Sequence, residues 1–174
     1  MTRRTNARVA GIAFLVYIAA GITSLALSGR TNVRDVLVVF TSLSALVLGV
    51  TLYAITRDVD HDLAMLALIC RVVEGVPGHG LNAVFFAVGS AIFSWLLLRG
   101  RMIPASLAWL GAIASAALVV ILVAQRAGLF GGGTSWYSGA TWLVWLPMLV
   151  FELTFAVLLI VKGVNEPPAR RHAA

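Results

Sequence analysis

Long apolar stretches follow one another through this chain, and they limit its fold more than any other feature. The first runs from Val9 to Leu27, and the last lies in LPMLVFELTFAVLLIVKG near the carboxyl end. A stretch of about 20 apolar residues is long enough to cross a bilayer as a helix. Of the 174 residues, 60% are hydrophobic and 11% are charged, against roughly a quarter charged in soluble domains. The sequence therefore predicts an integral membrane protein.

The apolar stretches predict an all-α fold, a polytopic transmembrane helical bundle of about six helices. We assign residues 1–174 to a single transmembrane domain. Its start has the basic-then-apolar order of a secretory signal, but the apolar run exceeds the roughly 7–15 residues of a signal core. We therefore interpret it as a retained first span. The predicted spans are about 9–28, 35–56, 60–77, 80–98, 104–126 and 141–163.

Segment 60–98 allows two interpretations. Each half is short, and the sequence VPGHG divides them. One interpretation is two short spans joined by a tight turn. The other is a re-entrant hairpin, whose tip is tolerated inside the bilayer only where protein buries it.

Positive charge tests the topology, because basic residues concentrate on the cytoplasmic side of membrane proteins. With six spans and the N-terminus inside, nine basic residues lie inside and three outside. The inner group is Arg3, Arg4, Arg8, Arg57, Arg99, Arg101, Lys162, Arg170 and Arg171, and the outer group is Arg30, Arg34 and Arg126. Treating 60–98 as one span changes the split to five inside and seven outside. Both termini are therefore predicted to be cytoplasmic.

Among the charged residues of the predicted spans, we assign three to the membrane interior, and they form the candidate site. Arg71 and Glu74 are three residues apart, which places them on one helix face. Glu152 lies ten residues before Lys162, roughly 15 Å along a helix and too deep to reach water. Because charges in a bilayer are costly and usually paired, we predict a cluster of Arg71, Glu74 and Glu152. The cluster either binds a ligand or fixes helix packing.

Four further polar residues are candidates for accessory roles: His79, Asn82, Gln125 and Tyr17. No catalytic residue set and no metal site is predicted, because ligand groups and nucleophile motifs of the usual spacing are missing. No cofactor is predicted. The net charge of +6 is assigned to loop ends that contact lipid rather than to nucleic acid.

Small residues gather in two spans, where they allow helices to approach closely. They serve either packing within the bundle or a homodimer face. The residues are Gly11, Ala13, Ala19, Ala20 and Gly21 in the first span, and Gly111, Ala112, Ala114, Ser115, Ala116 and Ala117 in the fifth.

Four segments in this order resemble the DUF4386 family: ARVAGIAFLVYIAAGI, ICRVVEGV, FSWLLLRGRMIPASLAWLGAIASA and LPMLVFELTFAVLLIVKGV. The resemblance covers nearly the whole chain and implies a helical protein of the bacterial inner membrane, of unknown function. It carries the family's polar positions over to Arg71, Glu74, Pro104, Glu152, Lys162 and Gly163. The family typically has a longer connection where residues 75–84 stand here, which favours short or re-entrant third and fourth helices.

Three functions follow from these features. The first is binding or transport of a small molecule, ion or lipid headgroup at the Arg/Glu cluster. The alternative is a non-catalytic membrane scaffold or accessory subunit whose buried charges lock helix packing. The third, ranked last, is an intramembrane lipid-modifying enzyme. The lipid bilayer is the expected partner, and the sequence does not name a ligand.

Overall fold

The computed structural model describes residues 2–27, 31–76, 80–129 and 139–165, and these residues form six helices and no strand. The predicted all-α bundle of about six helices is confirmed. The helices are α1 (Arg3–Ala26), α2 (Thr31–Thr56), α3 (His61–Glu74), α4 (Asn82–Arg99), α5 (Ala105–Arg126) and α6 (Gly139–Val161).

Four of these helices, α1, α2, α4 and α5, are long and apolar enough to cross a membrane. Helix α6 contributes the shorter apolar segment Trp145–Val161. Large apolar side chains such as Ile12, Ile113 and Val120 are more than half exposed on the outside of the bundle. Such a surface would be unfavourable in water, whereas lipid tails solvate it. The chain is an integral membrane protein.

The helices form a closed ring. Each helix packs on the next in the sequence, and α6 returns to pack on α1. Helix α3 is the shortest, with 14 residues, so it spans roughly 21 Å at the rise of a helix. Its position between α2 and α4 brings its inner face to the centre of the ring.

Polar contacts fix the two ends of the bundle. At one end Arg3 pairs with Asp58 and Arg99 with Asp60, and the Asn165 amide donates to the Met102 carbonyl. These contacts bring the start of α1, the α2–α3 connection and the residues after α4 and α6 to one end. At the other end Arg126, the last residue of α5, donates to the carbonyl of Gly80, just before α4.

Asp60 begins α3. It is the N-cap residue, and its carboxylate accepts a hydrogen bond from the backbone amide of Leu63 at 3.2 Å. The same carboxylate pairs with Arg99 at 3.1 Å. Asp62 lies in the first turn with a fully exposed side chain. Of these two acids, Asp60 is therefore the one that caps α3.

Replacing Asp60 with alanine is expected to lower the free energy of unfolding by about 0.5–2 kcal/mol, the usual effect of losing an N-cap. The measurement is unfolding in detergent, followed by circular dichroism. Asp62→Ala is the matched control, because it removes a nearby carboxylate that caps nothing. Equal effects of the two substitutions would show that the Asp60 cap does not stabilise α3.

Candidate functional site

Arg71 is buried in the centre of the ring, with 1% of its surface exposed. Helix α3 places it there because Ala64, Ala67, Arg71 and Glu74 form the buried face of that helix. The larger side chains Leu66, Ile69 and Val72 lie on the exposed face. Helix α3 therefore turns its apolar face outward and its charged face inward, the reverse of a helix in a soluble protein.

The Arg71 guanidinium is held by two partners. Its Nη1 donates to Oε2 of Glu74 at 2.9 Å, and its Nη2 donates to Oγ of Ser90 on α4 at 2.9 Å. The Tyr17 hydroxyl on α1 donates to the other carboxylate oxygen, Oε1 of Glu74, at 2.6 Å. These four residues, Arg71, Glu74, Tyr17 and Ser90, are here called the polar centre. It links α1, α3 and α4 inside the bundle.

Aromatic rings enclose the polar centre. The guanidinium carbon of Arg71 lies 4.8 Å from the ring centroid of Phe86 and 6.0 Å from that of Phe14. Phe86 also stacks on Tyr17, with the ring centroids 6.2 Å apart. A cation over an aromatic face is stabilised by the ring quadrupole, more strongly where water is excluded. The rings therefore hold the arginine charge and exclude water from it.

Glu152 lies on α6 and is 4% exposed. Arg71 forms its ion pair with Glu74, and no ion pair joins Arg71 to Glu152 among the described residues. The Oε1 atom of Glu152 has no hydrogen-bond partner in that part of the chain. Glu152 is therefore a second buried carboxyl group of the bundle, with no ion pair in the described part of the chain.

Arg71 and Glu152 lie at similar depth in the bundle. Arg71 is ten residues from His61, where α3 begins, and Glu152 is nine residues from Val161, where α6 ends. Both helix ends belong to the same end of the bundle, so both residues lie roughly 15 Å inside it. The contact of Glu152 with the other two residues stays a prediction.

A small cavity adjoins the polar centre. Its volume is about 10 Å³, which is about the room that one water molecule takes. Helices α1, α2, α3, α4 and α6 contribute to its wall. The polar residues in the wall are Arg71, Ser90 and Ser94. An organic molecule does not fit into this cavity as the bundle stands.

The four residues predicted to have accessory roles lie in different parts of the bundle. Tyr17 belongs to the polar centre. Asn82 acts through its amide, which donates to the carbonyls of Glu74 at 2.5 Å and Val76 at 2.8 Å and so holds the turn after α3. Gln125 is buried near the end of α5. His79 lies outside the described residues.

Ser90 and Ser94 were not among the residues singled out from the sequence. They are four residues apart on α4 and both buried, and residues with this spacing lie on one helix face. Their pairing in an otherwise apolar helix is the signal that would have found them. In the part of the chain that the structure describes, no group of three or more His, Cys, Asp and Glu residues is placed to hold a metal ion.

Comparison with known proteins places the chain in a family. One family matches over residues 77–163, half of the chain, and is described as a domain of unknown function, DUF4386. The matched part includes Pro104, Glu152, Lys162 and Gly163, whereas Arg71 and Glu74 precede it. No curated protein and no solved structure matches the chain. The chain belongs to the DUF4386 family.

Proposed function

We propose that this membrane protein binds a small charged solute at the polar centre and moves it across the bilayer together with a proton on Glu152. The observation that carries the proposal is the buried carboxyl group of Glu152, at the depth of Arg71, whose Oε1 has no hydrogen-bond partner among the described residues. A carboxyl group inside a membrane protein must be neutral or find a partner, and such groups commonly mark proton and ion routes. Arg71 is the group that would hold a negative charge.

We propose the bacterial cytoplasmic membrane as the location, with both termini in the cytoplasm. The excess of basic residues at the inner loops supports this orientation. The contacts of Arg3 with Asp58 and of Asn165 with Met102 support it too, because they bring both ends of the described chain to one end of the bundle. The Arg126–Gly80 contact favours two short spans for α3 and α4, since it brings Gly80, just before α4, level with the end of α5.

The proposal is tested with the full chain in liposomes that contain a pH-sensitive dye. Gradients of sodium chloride, sodium acetate, sodium phosphate and ammonium chloride are applied in turn, and the internal pH is followed. We expect at least one of these solutes to drive proton movement above that of empty liposomes. We expect Glu152→Gln to abolish the movement, because an amide of the same shape cannot carry the proton.

Two controls make this outcome specific. Asp62→Asn removes a carboxylate at the exposed start of α3 and should leave the movement unchanged. The unfolding temperature of Glu152→Gln should stay close to that of the wild type, because no ion pair is broken. Proton movement that persists in Glu152→Gln, or none with any of the solutes, would contradict transport through this site.

The second candidate function is a scaffold or accessory subunit. It is favoured by a different observation. Within the polar centre, the charges of Arg71 and Glu74 pair with each other, and Tyr17 and Ser90 form hydrogen bonds with them. A buried ion pair of this kind can fix one helix arrangement without any chemistry. Purification of the tagged chain with one stoichiometric partner protein, and no solute-driven proton movement, would favour this function over transport. The lipid-modifying enzyme has no observation of its own, since His79 lies outside the described residues.

A further inference from the structure

Helix α4 is followed by an unfavourable backbone conformation at Arg101. The Arg101 amide donates to the Leu98 carbonyl and the Met102 amide to the Leu97 carbonyl, both at 3.0 Å. This pair of bonds closes a helix through one left-handed residue, which is usually glycine. Arg101 takes that place with a φ of +50°, and among the described residues it is the one non-glycine residue with a positive φ. A residue with a Cβ atom disfavours this conformation.

Helix α5 shows which residue suits this position. It ends with the same two hydrogen bonds, from the Gly128 amide to the Gln125 carbonyl and from the Leu129 amide to the Ala124 carbonyl. Its left-handed residue is the glycine, with a φ of +76°. The arginine after α4 therefore costs backbone free energy that a glycine would not. Residues held in such conformations gather at functional positions.

The surroundings of Arg101 hold its backbone and leave its side chain outside. Met102 and Ile103, the next two residues, are buried. The Met102 carbonyl accepts a hydrogen bond from the Asn165 amide, which follows α6. Arg101 itself is exposed. The connection between α4 and α5 therefore presents the guanidinium at the surface of the bundle.

The charge of Arg101 is not used within the described part of the chain. At this end of the bundle Arg3 and Arg57 pair with Asp58, and Arg99 pairs with Asp60. Among the described residues no carboxylate pairs with Arg101. Its positive charge is therefore available to an anion from outside the chain.

Two tryptophan rings lie on the outside of the bundle near Arg101. Trp95 and Trp109 are 47% and 51% exposed, on the neighbouring helices α4 and α5. Each is four residues from the helix limit at the connection, which is Arg99 for α4 and Ala105 for α5. Both therefore lie roughly 6 Å below the connection. Indole rings at the bilayer interface sit at the level of the lipid headgroups.

We propose that Arg101, Trp95 and Trp109 form a binding site for an anionic phospholipid of the leaflet at this end of the bundle. The guanidinium fork matches a phosphate group, and the acyl chains lie along the two indole rings. A lipid with net negative charge is favoured, because a zwitterionic headgroup carries its own cation beside the phosphate. This site lies outside the polar centre and does not depend on the proposed transport.

The experiment is thermal unfolding of the purified full chain in dodecyl maltoside with increasing mole fractions of dioleoyl phosphatidylglycerol. A ligand that binds the folded state alone raises the unfolding temperature. We expect a saturable rise with this lipid, and a smaller one with dioleoyl phosphatidylcholine. In Arg101→Gln the half-saturating mole fraction should increase by about tenfold or more, since hydrogen bonds between charged groups are lost. Sodium phosphate should give no saturable rise, because it has no acyl chains.

Arg4→Gln is the matched control. Arg4 is exposed at the start of α1, next to Arg3, whose pair with Asp58 belongs to the same end of the bundle. The substitution removes the same charge from this end without touching the connection between α4 and α5. Its half-saturating mole fraction should stay that of the wild type.

Arg101→Gly separates the lipid site from a role in folding. Without added lipid its unfolding temperature should be higher than that of the wild type, because glycine adopts the positive φ without strain. Its response to phosphatidylglycerol should be lost as in Arg101→Gln. A lower unfolding temperature without lipid would show that the arginine serves the fold, which would contradict the proposal.

Three further results would overturn the lipid site. The first is an equal rise with phosphatidylglycerol and phosphatidylcholine, which would mean that the charge of the headgroup is not recognised. The second is an equal loss of the response in Arg4→Gln and Arg101→Gln, which would mean a general attraction between the basic surface and the lipid. The third is a saturable rise with sodium phosphate alone, which would indicate a site for the free anion. None of these results bears on proton movement through Glu152, so the proposed transport is tested separately.

Discussion

Replacing Arg71 with leucine is expected to lower the free energy of unfolding by about 3–5 kcal/mol, the largest effect of any single substitution proposed here. The substitution removes the ion-pair partner of Glu74, whose side chain is 4% exposed. Only the Tyr17 hydroxyl would then remain as a side-chain partner of that carboxylate among the described residues. The measurement is equilibrium unfolding in mixed detergent micelles.

The double variant Arg71→Leu/Glu74→Leu is the informative control. It removes both charges, so no unpaired charge is left in the interior, and buried pairs replaced by apolar residues often cost little. We expect the double variant to be more stable than Arg71→Leu alone. If the double variant loses as much as both single substitutions together, the two residues act independently, and the ion pair does not organise the bundle.

A third substitution tests whether Glu152 belongs with the polar centre. Glu152→Gln alone should change stability little. Combined with Arg71→Leu, it should restore part of the lost stability, because glutamine cannot ionise and the interior then holds one ionisable carboxyl group without a cation instead of two. Additive effects of the two substitutions would mean that Glu152 does not share a network with Arg71.

The sequence predicts the helices well because the bilayer sets their length and composition. Each predicted span falls on one helix. The short helix α3 lies in segment 60–98, for which the sequence allows two interpretations. The helix boundaries differ from the predicted spans where polar residues continue a helix beyond the apolar run. Helix α1 begins at Arg3, with Thr2 as its N-cap, although the apolar run begins at Val9.

The pairing of Arg71 with Glu74 could be predicted, since it depends on spacing within one helix. The partners from other helices could not be assigned in the same way. Tyr17 was one of several polar residues in the spans, and nothing in the sequence sets which of them faces Glu74. Ser90 reaches Arg71 only because α3 and α4 pack side by side, and that register depends on the whole ring.

The buried face of α3 can be predicted from the sequence, provided that the rule for membrane proteins is applied. In a soluble protein the large apolar residues Leu66, Ile69 and Val72 would mark the buried face. In lipid they mark the outer face, and the small residues Ala64 and Ala67 mark the interior. Applied to α3, the second rule places Arg71 and Glu74 in the interior, as observed.

Replacing Gly111 with valine is expected to lower the free energy of unfolding by about 2–3 kcal/mol, as over-packed cores do. A Cβ atom at this position would lie 2.6 Å from two ring carbons of Phe151 and 2.7 Å from Ser94 Oγ. Phe151 is 3% exposed and stacks on Phe155, so its ring has nowhere to move. Helices α5 and α6 would have to separate.

Gly11→Val tests the close packing of α6 against α1, as Gly111→Val tests that of α6 against α5. A Cβ atom there would lie 2.7 Å from the backbone carbonyl oxygen of Ala156, and a helix backbone cannot give way locally. A similar loss of stability is expected. Gly21→Val is the matched control, because no atom lies within 4 Å of a Cβ at that position and valine has the higher helix propensity.

Substitutions of these three glycines also distinguish the two roles proposed for the small residues, which are packing within the bundle and a homodimer face. Gly11 and Gly111 contact α6 of the same chain, so their substitution should change unfolding of the single chain. A homodimer face needs small residues on the outside, and Ala19 and Ala116 are exposed there. If Gly21→Val or Ala19→Leu changes the oligomeric state in detergent while unfolding stays the same, the exposed small residues form a face between two copies. If Gly111→Val instead leaves unfolding unchanged, the close approach of α5 to α6 is not what holds the ring together.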